Sequence, residues 1–124
     1  MCTVAFEWYP RRPGDNGAFM ATANRDENPN RPSTGFEYRN NHQAFYPLDV
    51  GGGSWIGVNE SGVFCAITNR DDTKFVPGRK SRGKLVTKAL DESSEVYDIS
   101  SWADSLNPLE YNGFRLIACD PLFL

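Results

Sequence analysis

Hydrophobic and polar positions alternate at the front of the chain. Over residues 3–9, Val4, Phe6 and Trp8 interleave with small or polar neighbours, the period of two that a half-buried strand shows. Residues 10–17 are dense in Pro, Gly, Asp and Asn and read as a loop. Residues 18–23 read as a second short strand, which makes a hairpin with the first. Residues 24–34 carry Asn, Asp, Pro and Ser without a period, and Pro29 and Pro32 each remove a backbone donor and restrict the residue before them, so no regular element is expected there. The pattern decides little over residues 35–47, where Phe45 and Tyr46 suit a short strand. Residues 49–53 are a glycine-rich turn. Residues 55–58 and 63–68 form the clearest strand pair, joined by Asn59-Glu60-Ser61-Gly62, a loop of hairpin length.

The period then changes. Leu85, Val86, Ala89 and Leu90 fall at i, i+1, i+4 and i+5, one stripe of a helix over residues 82–90, with Ser81 as its N-cap. A second helix fits residues 96–106, closed by Asn107-Pro108, and residues 114–119 read as a last strand. Strands mixed with two helices predict an α+β fold in a single domain over residues 1–124. The chain closes on Leu122-Phe123-Leu124, an apolar run that would face water at a free terminus. The expectation is a domain shortened at its C-terminus, with self-association through the exposed C-terminal edge as the alternative.

Composition narrows the function classes. A length of 124 residues suits one domain. Lys and Arg total 13 against 16 Asp and Glu, a net charge of −3, so the basic excess that drives phosphate-backbone binding is missing and no nucleic-acid partner is expected. Aromatic residues make up 13% of the chain, which argues against disorder. No apolar run approaches the roughly 20 residues of a membrane helix, and no basic segment followed by an apolar stretch opens the chain. Neither a membrane span nor a secretory leader is expected, and a cytoplasmic location follows as the expectation. The three cysteines, Cys2, Cys65 and Cys119, are odd in number and widely spaced, which suits neither a disulfide framework nor a CxxC zinc half-site. Cys65 and Cys119 read as buried small apolar residues in strands. A single histidine, His42, excludes two-histidine metal motifs, so no metal or cofactor is expected and a catalytic base would be some other group.

Cys2 offers such a group. Removal of Met1, which a small second residue permits, would place a free α-amine and a thiol on one residue. An α-amine ordinarily titrates at about 7.7–8.0 and a cysteine thiol at about 8.5, so the amine can serve as base near neutrality without a histidine. Asn24-Arg25-Asp26-Glu27 follows the second strand and opens a loop, a common place for site residues. There Asp26 would hold an ammonium and Arg25 would neutralise a carboxylate; the plain alternative is an Asx-turn with a surface ion pair. Asn69 stands just past a strong strand, where its amide could donate to an oxyanion or simply cap a turn. Gly51-Gly52-Gly53-Ser54 lacks the lysine and following helix of a phosphate-binding loop and reads as a tight turn or a close backbone approach.

These segments join with others in a fixed order: Met1-Cys2-Thr3, Ala23-Asn24-Arg25-Asp26-Glu27 with Arg31-Pro32, Gly52-Gly53-Ser54-Trp55-Ile56-Gly57-Val58, Ala66-Ile67-Thr68-Asn69, Ser81-Arg82-Gly83-Lys84-Leu85-Val86 and Tyr111-Asn112-Gly113-Phe114. Together they resemble the NRDE family, also called the transport and Golgi organisation protein 2 family. Its members are generally about twice as long, so the likeness is to their N-terminal half. That family is in turn similar to N-terminal nucleophile hydrolases of the choloylglycine hydrolase and penicillin V acylase type, whose fold is a four-layer αββα sandwich. The local likeness is Gly57-Val58-Asn59-Glu60-Ser61-Gly62-Val63, ending in Asn69.

The resemblance implies the N-terminal part of an αββα sandwich and four catalytic residues. Cys2 would be the nucleophile, Asp26 would hold its amine, Asn69 would bind the oxyanion, and Arg25 would stand beside them. Ala23 occupies the place of an arginine that the amidohydrolases carry three residues before the aspartate, and a further asparagine and arginine of their site come from the C-terminal half. The implied reaction is hydrolysis of a C–N amide bond in a small-molecule amide. The alternative that the resemblance offers is a non-enzymatic protein of Golgi organisation or haem trafficking, with haem in the same pocket and His42 and the cysteines as candidate iron ligands.

Overall fold

The computed structural model describes residues 2–9, 13–14 and 18–120. The alternating residues at the front form the expected hairpin. Strand β1 (Thr3–Tyr9) pairs antiparallel with β2 (Ala18–Asn24), from Thr3 opposite Asn24 to Tyr9 opposite Ala18. The two strands form a sheet of their own. A second, antiparallel sheet takes β3 (Glu37–Arg39), β4 (Ala44–Tyr46), β5 (Ile56–Asn59), β6 (Phe64–Asn69) and β7 (Phe114–Cys119) in chain order. Helices α1 (Gly83–Glu92) and α2 (Val96–Ala103), then a 3-10 turn over Pro108–Glu110, fill the connection from β6 to β7.

Strand β6 is buried along nearly its whole length because both of its faces are covered. On one face Cys65 and Ile67, with Ala44 and Tyr46 of β4, pack against Leu85, Val86, Ala89 and Leu90 of α1 and Ile99 of α2. The stripe expected on the first helix is the one that docks. On the other face Phe64 and Ala66, with Ile56 of β5, meet Val4 and Phe6 of β1 and Phe19, Ala21 and Ala23 of β2. Phe64 presents an edge contact to Phe6 and another to Phe19, each with ring centroids 5.4 Å apart. The result is three layers, hairpin on sheet on helices, and the α+β class holds. No helix among the described residues is long and apolar enough to cross a membrane.

Several expectations are corrected. Ser81 is not the N-cap of α1: Arg82 holds that place, in helical conformation and without a side-chain cap bond. The start of α1 is fixed instead by backbone contact, since Ser54 N donates to Gly83 O at 3.2 Å. Helix α2 stops at Ala103 rather than residue 106, and the chain tightens where Ser105 N and Leu106 N donate three residues back and Ser105 Oγ donates to the Trp102 carbonyl at 2.6 Å. Its start is better capped than expected, by a reciprocal box between Glu95 and Asp98 and by the buried Asp120, whose carboxylate accepts from Val96 N at 2.6 Å. The undecided stretch holds a whole hairpin, β3 and β4, turned by Asn40, Asn41 and His42 at φ of 51°, 55° and 68°. Asparagine tolerates this left-handed region better than other side chains do, and the Asn-Asn pair was its sequence signal. Strands β5 and β6 lie one residue later than expected. Cys65 is buried as read, whereas Cys119 is only half-buried, because β7 is an edge strand. Met1 and its removal, most of the loop at 10–17 and the apolar run at 122–124 lie outside the described residues.

Candidate functional site

The register of the first hairpin builds one wall. With Thr3 opposite Asn24, the residue before β1 and those after β2 fall side by side. Cys2 Sγ accordingly stands 4.0 Å from the carbonyl oxygen of Asp26. The charge of the chain's amino terminus, first by a hydrogen bond and then by Coulombic attraction, holds the Asp26 carboxyl below its ordinary value. Arg25 turns the other way. Its guanidinium lies 4.5 Å from the ring centroid of Trp55, and its Nη1 donates to the Arg31 carbonyl at 3.1 Å.

Strand β6 brings Asn69 to the same place as its last residue, rather than as the first of the following loop. Cys2, Arg25 and Asn69 line one cavity of about 260 Å³. The Asn69 amide makes no hydrogen bond to other described residues, so it is not the turn cap that was the plain alternative. Asp26 does not line the cavity. It is exposed.

The rest of the wall is a network that the residue patterns did not single out. Arg31 pairs with Glu27 at 3.0 Å and with Asp49 at 2.8 Å. The other oxygen of Asp49 accepts from the backbone N–H of Gly51 at 2.8 Å and of Gly53 at 3.2 Å. The glycine turn thus wraps a carboxylate of its own chain, as expected for a tight turn. Asn112, buried, exchanges hydrogen bonds with the backbone of Val76 at 2.7 and 2.9 Å and pins the loop after β6. Arg82 enters from the start of α1 and donates from Nη1 to the Gly113 carbonyl at 2.9 Å. Burial presses its guanidinium below the usual arginine value, against the pull of Cys2 and Glu27. Arg31, Trp55, Arg82 and Asn112 stood in the segments that carried the family resemblance; that was the only sequence signal for them, and Asp49 had none.

The other thiols are placed for packing. Burial, reinforced by the neighbouring Cys119, pushes Cys65 up to about 12, and burial raises Cys119 as well. His42 sits in the β3–β4 turn with its ring 5.3 Å from Tyr38, in a separate depression shared with Phe45 and Val58. His42 is therefore not brought together with the cysteines named beside it as candidate haem ligands. Among the described residues no three His, Cys, Asp or Glu side chains gather as a metal site.

Comparison with known proteins shows what the chain is similar to. The model of the family Transport and Golgi organisation 2 matches residues 1–122. The human Transport and Golgi organization protein 2 homolog is 34% identical over 127 residues, covering 97% of this chain and 45% of that protein. The mouse and bovine homologs are 32% and 30% identical over 126 residues each, with the same coverage. The chain spans about half the length of the curated relatives it matches.

Proposed function

The chain belongs to the transport and Golgi organisation 2 family, and from that premise we propose that it carries the nucleophile half of an N-terminal cysteine amidohydrolase. The observation that supports this reading is the convergence of Cys2, Arg25 and Asn69, from three separate segments, on one cavity. The layering of hairpin, sheet and helices agrees with three of the four layers of an αββα sandwich.

With Met1 removed, the Cys2 sulfur attacks the carbonyl carbon of an amide, and the α-amine takes the thiol proton. Asp26 holds that amine in place by its charge. Asn69 donates to the oxyanion, a contact worth roughly 3 kcal/mol in related chemistry. Collapse breaks the C–N bond, the ammonium returns the proton to the leaving amine, and a thioester remains on Cys2. Water then attacks the thioester, releases the acid and restores the thiol.

The test is intact mass followed by acyl capture. Protein expressed in cells should lack Met1, and a reactive amide should add one acyl group that Cys2→Ala abolishes. Retained Met1 leaves Cys2 without a free amine and overturns the reading. The name of the relatives, which speaks of transport, favours a second reading, in which the cavity binds a transported ligand without converting it. Ligand binding that survives Cys2→Ala with no turnover in the parent protein would select it.

A further inference from the structure

We propose that the cavity beside Cys2 is an anion site, whose ligand carries a carboxylate or phosphate group paired with Arg82 and reached by Arg25 as a second donor. This deepens the preceding reading: it names the substrate as an acid-bearing amide and uses that reading only to set the scissile bond against Cys2.

The argument is one of unspent charge. In a chain of net charge −3, this one cavity gathers Arg25, Arg31, Arg79, Lys80 and Arg82 against two carboxylates, Glu27 and Asp49. Both carboxylates are taken by Arg31, at 3.0 and 2.8 Å. Lys80 is paired with Glu110 at 2.9 Å, outside the cavity wall, and Arg79 donates to the Tyr111 carbonyl at 2.9 Å. Arg25, Arg79 and Arg82 are left without an ion-pair partner among the described residues. Each makes a single hydrogen bond, to a carbonyl, so four of the five N–H donors on each guanidinium remain for something else.

Their setting suits a ligand rather than solvent. Arg25 and Arg82 are half-buried residues, and each is held in place, Arg25 over the Trp55 ring and Arg82 through Gly113. An arginine already fixed in place loses little further freedom on binding, and its planar fork matches the two oxygens of a carboxylate or phosphate. The apolar surface of Trp55 and Ile67 in the same wall leaves room for the body of the molecule.

The experiment uses the 124-residue chain and three probes: N-acetylalanine, its neutral methyl ester, and inorganic phosphate. Calorimetric titration should show saturable binding of an acid and about tenfold weaker or no binding of the ester, with affinity falling as salt rises to about 0.3 M. Preference for N-acetylalanine or for phosphate decides which acid group the site takes. Arg82→Gln should weaken binding about tenfold, and Arg82→Lys should recover part of the loss. Should Arg82→Gln fail to fold for want of its Gly113 bond, Arg25→Gln, at the half-buried start of an otherwise exposed loop, carries the same comparison. Equal affinity for acid and ester, unchanged affinity in the arginine variants, or no saturable binding of either acid overturns the proposal. A parent protein that binds the acids through these arginines but is never acylated by a reactive amide keeps the anion site and overturns the hydrolase reading, so the two failures are read separately.

Discussion

Gly53 and Gly83 meet backbone to backbone. A Cβ on Gly53 would stand 2.9 Å from the carbonyl carbon and Cα of Gly83, and one on Gly83 would stand 3.0 Å from Ser54 N and O. The contact joins the turn around Asp49 to the first residue of α1, and so fixes where Arg82 stands relative to the Asp49–Arg31 pair. Backbone cannot swing aside as a side chain can. Gly53→Ala should therefore lower stability by about 2 kcal/mol, the cost of forced overpacking. A urea midpoint unchanged from the parent would show that the two segments part freely.

Asn59 should be among the costliest polar residues to remove. Its Nδ2 donates to the carbonyls of Leu90 at 3.1 Å and Ser93 at 2.6 Å, while its Oδ1 accepts from Ser61 N at 3.1 Å and Val63 N at 3.0 Å. The side chain thus stitches the β5–β6 turn to the end of α1. Asn59→Leu leaves these buried groups unpaired and should destabilise by about 3 kcal/mol. Asn59→Asp keeps the acceptor side and loses the donor side. Thermal melts of the two variants should fall below the parent, and coincident melts would contradict the role.

The three thiols should separate by reactivity. Cys65 is buried in β6 with its thiol pushed up to about 12, and Cys119 is raised in the same direction. Near neutral pH in native protein, iodoacetamide should modify Cys2 first, Cys119 slowly and Cys65 only on unfolding. Peptide mapping of a timed reaction checks the order. Early labelling of Cys65 would show that the sheet–helix interface opens.

Tyr46 should give the protein an alkaline limit. Burial first, then the hydrogen bond and charge of Asp91, push its phenol from 10.0 up to about 12. The folded state therefore holds this proton more tightly than the unfolded chain. Its advantage is complete below pH 10 and is lost as pH rises from 10 to 12, where the phenolate faces the carboxylate. Tyr46→Phe should lose about 1 kcal/mol at neutral pH and show a shallower decline across that window. Parallel decline of the two proteins would place the alkaline sensitivity elsewhere.

Asn69→Ala tests the oxyanion role. Its amide makes no hydrogen bond among the described residues, so the melt should hardly move. Turnover of an amide cleaved by the parent protein should fall by about 10²–10³ in kcat. Loss of stability with intact turnover would make Asn69 a structural residue.

The front hairpin and the docking stripe of α1 were legible in the residue pattern because each obeys one short-range period. Val4 and Phe6 alternate, and Leu85, Val86, Ala89 and Leu90 recur with the helix turn. The β3–β4 hairpin was not legible, since two strands of three residues each are too short to display a period. The start of α1 misled for another reason. Ser81 has the chemistry of a cap, but the Gly53–Gly83 contact decided the helix entry. Of the candidate site, Cys2, Arg25, Asp26 and Asn69 were named from chemistry and family likeness, while Asp49 and Arg82 were not assigned.

What the sequence determined by itself was most of the local elements, the class, the family and the candidate reactive groups, because these depend on neighbours within a few positions or on a shared order of motifs. What only the tertiary structure decided was which groups meet. Asp49 became the partner of Arg31, and Arg25 and Arg82 were left with open donors on one cavity wall. Charge pairing acts through distances of a few ångströms, and for Arg31 with Asp49 that distance is set between residues 18 apart in sequence.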